Sequence, residues 1–197
     1  MARLPYPGPS YVSGVMHQFP ERLQRTNIGR MLSYAPTALP PYYSFSFALL
    51  DQLELDPKLR ELTILRVTHR IEAQYAWIQH VALAKAVGVS DEQIRSLQQG
   101  RGEGDHFTTK EQLMLTFVDE VMQTPRVSDT TFEQMCGLFS SRELVELLLV
   151  VGWYWAVGRV MTTLDIEPDP ALATQDLEMI RRSRETQQDE RSSSTRS

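Results

Sequence analysis

The side chains able to carry chemistry are few: four histidines, one cysteine and the carboxylates. His80 falls on one helical face with Ala73 and Trp77 by the three-and-four rule. Glu61 lies on the helical segment before it. If the two segments form an antiparallel hairpin, Glu61 can approach His80. A carboxylate bonded to one imidazole nitrogen fixes the ring's tautomer and favours its charged form. The other nitrogen is then a general acid or base near neutral pH. His80 and Glu61 are the candidate catalytic pair. Tyr75 and Trp77, on the same segment, are candidate substrate contacts. Arg159, one turn beyond Trp155, is a candidate for a substrate carboxylate.

Each of these residues also has a structural reading. A histidine on an apolar face can be a satisfied core residue. Glu61 can pair with Arg60 or Arg66, Arg159 can form a buried ion pair, and the aromatics can belong to the core or to a subunit interface. His69 reads as a helix-surface residue, and His17 and His106 as solvated. A metal set of Glu61, His69 and His80 can be drawn, but nothing in the spacing requires it, so neither metal nor cofactor is expected. Cys136 reads as a small buried hydrophobe. Walker A, GxGxxG, GxSxG and HExxH motifs do not occur. The glycine-rich loop 100–104 has no strand before it and carries Glu103 where a phosphate would sit, so it reads as a connector.

The elements that must position these residues are all helical. Asp56-Pro57 opens a helix with apolar residues at Leu59, Leu62 and Leu65. A second continues through Ala73, Trp77, His80 and Leu83 to a C-cap at Gly88. Ser90 and Gln93 form a capping box for a short helix. Further starts fall near Asn27, at Pro40-Pro41 in a first turn, near Thr108 or Thr109, at Ser128 or Asp129, and at Ser140 or Ser141. No alternation of β-branched residues competes. The expectation is an all-α domain of about seven or eight helices. Residues 1–26 read as an extended Pro-rich arm with one short helical turn at 11–17, 27–170 as the helical domain, and 171–197 as a final helix (174–182) with a polar tail.

The composition is that of a globular chain: 197 residues, 42% hydrophobic, net charge −5. That balance argues against a broad nucleic-acid surface. A single cysteine forbids an intramolecular disulfide and suits a reducing compartment. With no apolar leader visible, the expected location is the cytoplasm. The longest apolar run, 147–158, is too short to span a bilayer. It reads as a helix buried partly against another subunit, and no membrane partner is expected.

The stretch LRELTILRVTHRIEAQYAWIQHVALAKAVGVSDEQI resembles the carboxymuconolactone decarboxylase superfamily, which includes the alkyl hydroperoxide reductase D-like (AhpD-like) proteins. The matching residues are Leu59-Arg60-Glu61-Leu62, Ile64-Leu65-Arg66, His80, and Ala84 through Gly88 to Ile94. The segment Ala73-Gln74-Tyr75-Ala76-Trp77-Ile78-Gln79-His80 resembles the A-E-Y-E-W-x-x-H variant. There Gln74 and Ala76 stand in place of acids. The resemblance, spanning about residues 2 to 167, implies an AhpD-like helical bundle and a homo-oligomer, a trimer or a hexamer of trimers. It also implies functional roles for Glu61 and His80. Aligned on those two, the thiol positions of the peroxidase branch fall at Ala73 and Ala76, so dithiol peroxide chemistry has no nucleophile and no resolving thiol. The resemblance then implies a cofactor-free, thiol-independent lyase or isomerase acting on a small carboxylated lactone or enolisable carbonyl compound. The competing expectation is a vestigial oligomeric scaffold or binding protein.

Overall fold

Prolines and capping side chains set the helix boundaries. A computed structural model describes residues 1–169, and among them are ten helices and no strand. They are α1 (Pro9–Met16), α2 (Glu21–Arg25), α3 (Asn27–Leu32), α4 (Leu39–Asp51), α5 (Pro57–Arg70), α6 (Gln74–Ala86), α7 (Asp91–Gln98), α8 (Thr109–Gln123), α9 (Asp129–Leu138) and α10 (Ser141–Thr163). The all-α class holds, with more helices than expected. Two of them lie in the arm read as extended: α1, which takes in most of the short helical turn expected at 11–17, and α2, which was not expected. Proline there starts helices instead of preventing them, because a first-turn residue has no intrahelical partner for its N–H. The expected final helix and polar tail fall outside the described residues.

The predicted caps form. The Asp56 carboxylate accepts from the N–H groups of Lys58 and Leu59. Capping boxes close at Ser90/Gln93, Thr108/Glu111 and Ser140/Glu143. At α3 the cap is Thr26, whose hydroxyl accepts from Gly29 N–H, and not the expected Asn27. Asn27 instead donates its side-chain amide to the Glu167 carbonyl.

α5 is the axis of the fold. Ten consecutive residues, Leu59 to Thr68, are buried, because α6, α7, α8 and α10 all pack on it. Such a helix must pair its polar groups internally, since a buried unpaired polar group is costly. Thr63 and Thr68 donate back to the carbonyls of Leu59 and Ile64. Arg66 donates to the Gly100 carbonyl and pairs with Asp119 of α8, which also takes Arg70.

Two of the helix ends matter for the site. α5 ends in a left-handed residue, Glu72 (φ 58°), after which Ala73 N–H reaches back to the Thr68 carbonyl. α10 ends the same way at Asp165 (φ 48°), with Ile166 N–H on the Met161 carbonyl. This is the Schellman geometry. α6 and α7 make the same ending with glycines, Gly88 and Gly100. Gly158 lets α10 lie against the α5–α6 turn: a Cβ there would meet Ile71 Cδ1 at 2.4 Å and Ala73 Cβ at 3.1 Å. The N-terminal strap crosses the end of α10, with Ala2 N–H and the Tyr6 hydroxyl on the Glu167 carboxylate at 2.8 and 2.6 Å.

Candidate functional site

The α5–α6 hairpin brings Glu61 and His80 together. Glu61 Oε2 lies 2.8 Å from His80 Nδ1. Its other oxygen accepts from Arg60 Nη2 at 2.9 Å and Nε at 3.2 Å. Arg60 also donates through Nη1 to the Leu50 carbonyl at 2.5 Å, which anchors the guanidinium to the end of α4. Glu61 is fully buried and His80 is 8% exposed. Burial alone would push the Glu61 carboxyl up. The charges and hydrogen bonds of His80 and Arg60 outweigh it and hold the carboxyl below its ordinary value of 4.5. Glu61 is thus an anion fixed between two donors, and it presents His80 in one orientation. Both pairings weighed for it, with Arg60 and with His80, occur at once; Arg66 is taken by Asp119 instead.

α10 supplies the wall. The Tyr154 ring meets the His80 ring edge-on, with centroids 4.8 Å apart. Its hydroxyl is pushed well above the ordinary range by burial and by the charge of Glu61, so Tyr154 is a neutral partner. His80 Nε2 has no protein partner among the described residues. That leaves one imidazole nitrogen without a hydrogen bond there, on a side chain that is nearly buried.

The other predicted site residues sit elsewhere. Trp77 is half-buried and its ring lies 5.9 Å from that of His69. His69 is accordingly not a plain surface residue: partial burial and then the charges of Arg66 and Arg70 lower its pKa. Tyr75 is buried and its hydroxyl donates to the Asp169 carboxylate. Burial and that bond push the Tyr75 hydroxyl far above its ordinary value. Arg159 is exposed, and its guanidinium makes no hydrogen bond or ion pair among the described residues. The structural alternative of a buried ion pair is therefore not found there. Cys136, expected to be buried, is exposed on α9. Among the described residues no three His, Cys, Asp or Glu side chains converge as metal ligands would.

Arg159 and Tyr75 do share a space. A cavity of about 450 Å³ lies between the α5–α6 turn, the start of α6 and the end of α10. Its walls include Ala73, Gln74, Tyr75 and Arg159, together with Glu72 and Asp165. Sequence reasoning missed these two acids, because a carboxylate at a position that glycine usually fills carries no motif. Neither Glu61, His80 nor Trp77 lines the cavity. His80 lies seven residues past Ala73, about 10 Å along the helix axis.

Residues 36–102, about a third of the chain, match the carboxymuconolactone decarboxylase family. Comparison with curated protein sequences gives no match. Among solved structures, a peroxidase-related protein of Ralstonia eutropha JMP134 with an alkylhydroperoxidase AhpD core superposes with a TM-score of 0.74. Its identity is 16%, over 85% of this chain and 92% of that one. A protein of unknown function from Agrobacterium tumefaciens gives a TM-score of 0.65 at 20% identity, covering 71% of this chain and 95% of that one. The debrominase Bmp8, as a cysteine-to-alanine variant in complex with 2,3,4-tribromopyrrole, gives 0.67 at 13% identity, over 86% and 94% of the two chains. At these identities the likeness is one of fold.

Proposed function

We propose, for a chain that carries the carboxymuconolactone decarboxylase pattern over residues 36–102 and folds as AhpD-like proteins do, that it is a thiol-independent acid–base enzyme. Its substrate would be a small carboxylated lactone or enolisable carbonyl compound. The observation that carries this reading is the buried bond between Glu61 and His80, braced by Arg60 on the second carboxylate oxygen. In such a reaction His80 Nε2 moves the proton at carbon, Glu61 orients and stabilises the imidazolium, and the low-dielectric surroundings strengthen both effects. Ala73 and Ala76 offer no thiol, and Cys136 is exposed on another helix with no second cysteine. A dithiol peroxidase reading therefore lacks its reactants. The test is carbon dioxide release from a panel of carboxylated lactones. Wild-type turnover that vanishes in Glu61→Gln and His80→Asn supports the reading; turnover equal in all three proteins sinks it.

A second reading is favoured by a specific observation. His80 is nearly buried against Tyr154, and the cavity beside Ala73 reaches neither member of the pair. A bundle that keeps the relay only as a packed polar core would look like this. It would be a scaffold or a binding protein.

We also propose that the chain self-associates through α10. That helix is long and apolar enough to cross a membrane, but half of its most apolar stretch is buried inside the fold. Its outer face shows Val145, Leu148, Leu149 and Trp155, each 41–57% exposed and at helical spacing. Gly152, midway along it, meets nothing within 4 Å. A contiguous apolar stripe of this kind favours a protein partner, and a second copy is the partner always present.

A further inference from the structure

We propose that the cavity between the α5–α6 turn and the end of α10 binds a small amino carboxylate, a ligand with a carboxylate at one end and an ammonium group at the other. The inference goes beyond the acid–base reading and does not rest on it, since neither Glu61 nor His80 lines this space.

The argument begins with the cavity's charges. Arg159 lines it with a guanidinium that has no partner among the described residues. Glu72 and Asp165 line it with carboxylates that likewise form no hydrogen bond or ion pair there. Glu167, the fourth charged residue of the wall, is already committed to the Tyr6 hydroxyl, Ala2 N–H and the N-terminal ammonium. The open charges are thus one cation and two anions around about 450 Å³, a size that suits a small metabolite. A dicarboxylate would meet repulsion from Glu72 and Asp165. A simple amine would leave Arg159 unused. A zwitterion satisfies both signs.

The two acids also stand where backbone geometry argues against them. Each occupies the left-handed position that ends a helix, the place where α6 and α7 use glycine. Glycine adopts that conformation without steric cost, and glutamate does not. The helix ending explains the dihedral angle and leaves the carboxylates unexplained. Their common feature is that both line one cavity, which Arg159, unpaired among the described residues, also lines.

The experiment is isothermal titration calorimetry on the full chain. Its probes are ω-amino carboxylates of increasing length from glycine upward, with the matched alkyl carboxylates and alkylamines. One chain length should bind at least about tenfold more tightly than either monofunctional analogue. Arg159→Gln should remove that preference. Glu72→Gly should weaken binding while leaving the melting temperature unchanged or higher, an outcome that a purely structural role for Glu72 does not produce. His80→Asn should bind as wild type does, so failure of the acid–base reading leaves this result intact. Equal affinity for monofunctional and bifunctional probes, no binding of any probe, or unchanged preference in Arg159→Gln would each overturn the proposal.

Discussion

At the scale of single residues, the account depends on which groups are charged. Glu61 is held below its ordinary value, so its folded form prefers to be ionised. The linkage has a definite sign: a carboxyl with a depressed folded pKa stabilises the protein above its unfolded value, and that contribution is lost as pH falls through the folded one. Acid denaturation followed by circular dichroism should therefore begin below about pH 4.5. Glu61→Gln should flatten the acid limb while lowering stability at neutral pH, because Arg60 and His80 are left facing an amide. For turnover, truncating the orienting partner should reduce the rate constant by about 10²–10⁴-fold with the fold intact. The pair itself was legible through the family resemblance, which marks Glu61 and His80, and the order of the two segments allowed a hairpin to bring them together. Arg60 was harder to read. Adjacent helical residues do not face each other, and the pairing arises because the long guanidinium folds back while a third nitrogen reaches Leu50.

At the scale of elements, α5 holds the site by being clamped on all sides. The clamp on the α8 side is Asp119, which receives both Arg66 and Arg70. Arg66 is 4% exposed at its side chain, so Asp119→Asn leaves a buried cation without its counter-charge. The expected cost is about 3 kcal/mol in urea denaturation, where an exposed pair would give under about 1 kcal/mol. On the α10 side the tolerance is steric. Gly158→Ala should cost about 1–3 kcal/mol and shift the turn that carries Glu72, because Ile71 and Ala73 must move. The caps at Asp56, Ser90 and Ser140 were readable because capping is local chemistry. Of α1 only a short turn was readable, and α2 was not, since a proline reads as a breaker until the chain around it shows that it begins a turn. The exposure of Cys136 and the cavity acids depend on tertiary contacts that leave no local pattern.

At the scale of the whole molecule, the chain presents one long helix with two faces. The inner face of α10 closes the core through Leu147, Val150, Val151 and Tyr154. The outer face leaves Leu148, Leu149 and Trp155 in solvent. Sedimentation velocity at micromolar concentration should show an oligomer that dissociates in Leu148→Glu and Trp155→Glu; a wild-type monomer would contradict this. The apolar run itself was visible in the sequence, but which of its residues face outward became clear only once the helix was seated on α5. The most direct test of the central claim is solvent deuterium incorporation in heavy water, read by NMR on carboxylated lactones and enolisable ketones with wild type and His80→Asn. The account predicts labelling at carbon by the wild type that is lost in His80→Asn. Labelling that persists in His80→Asn, or no labelling across the panel, would contradict it, and the second result would favour the scaffold.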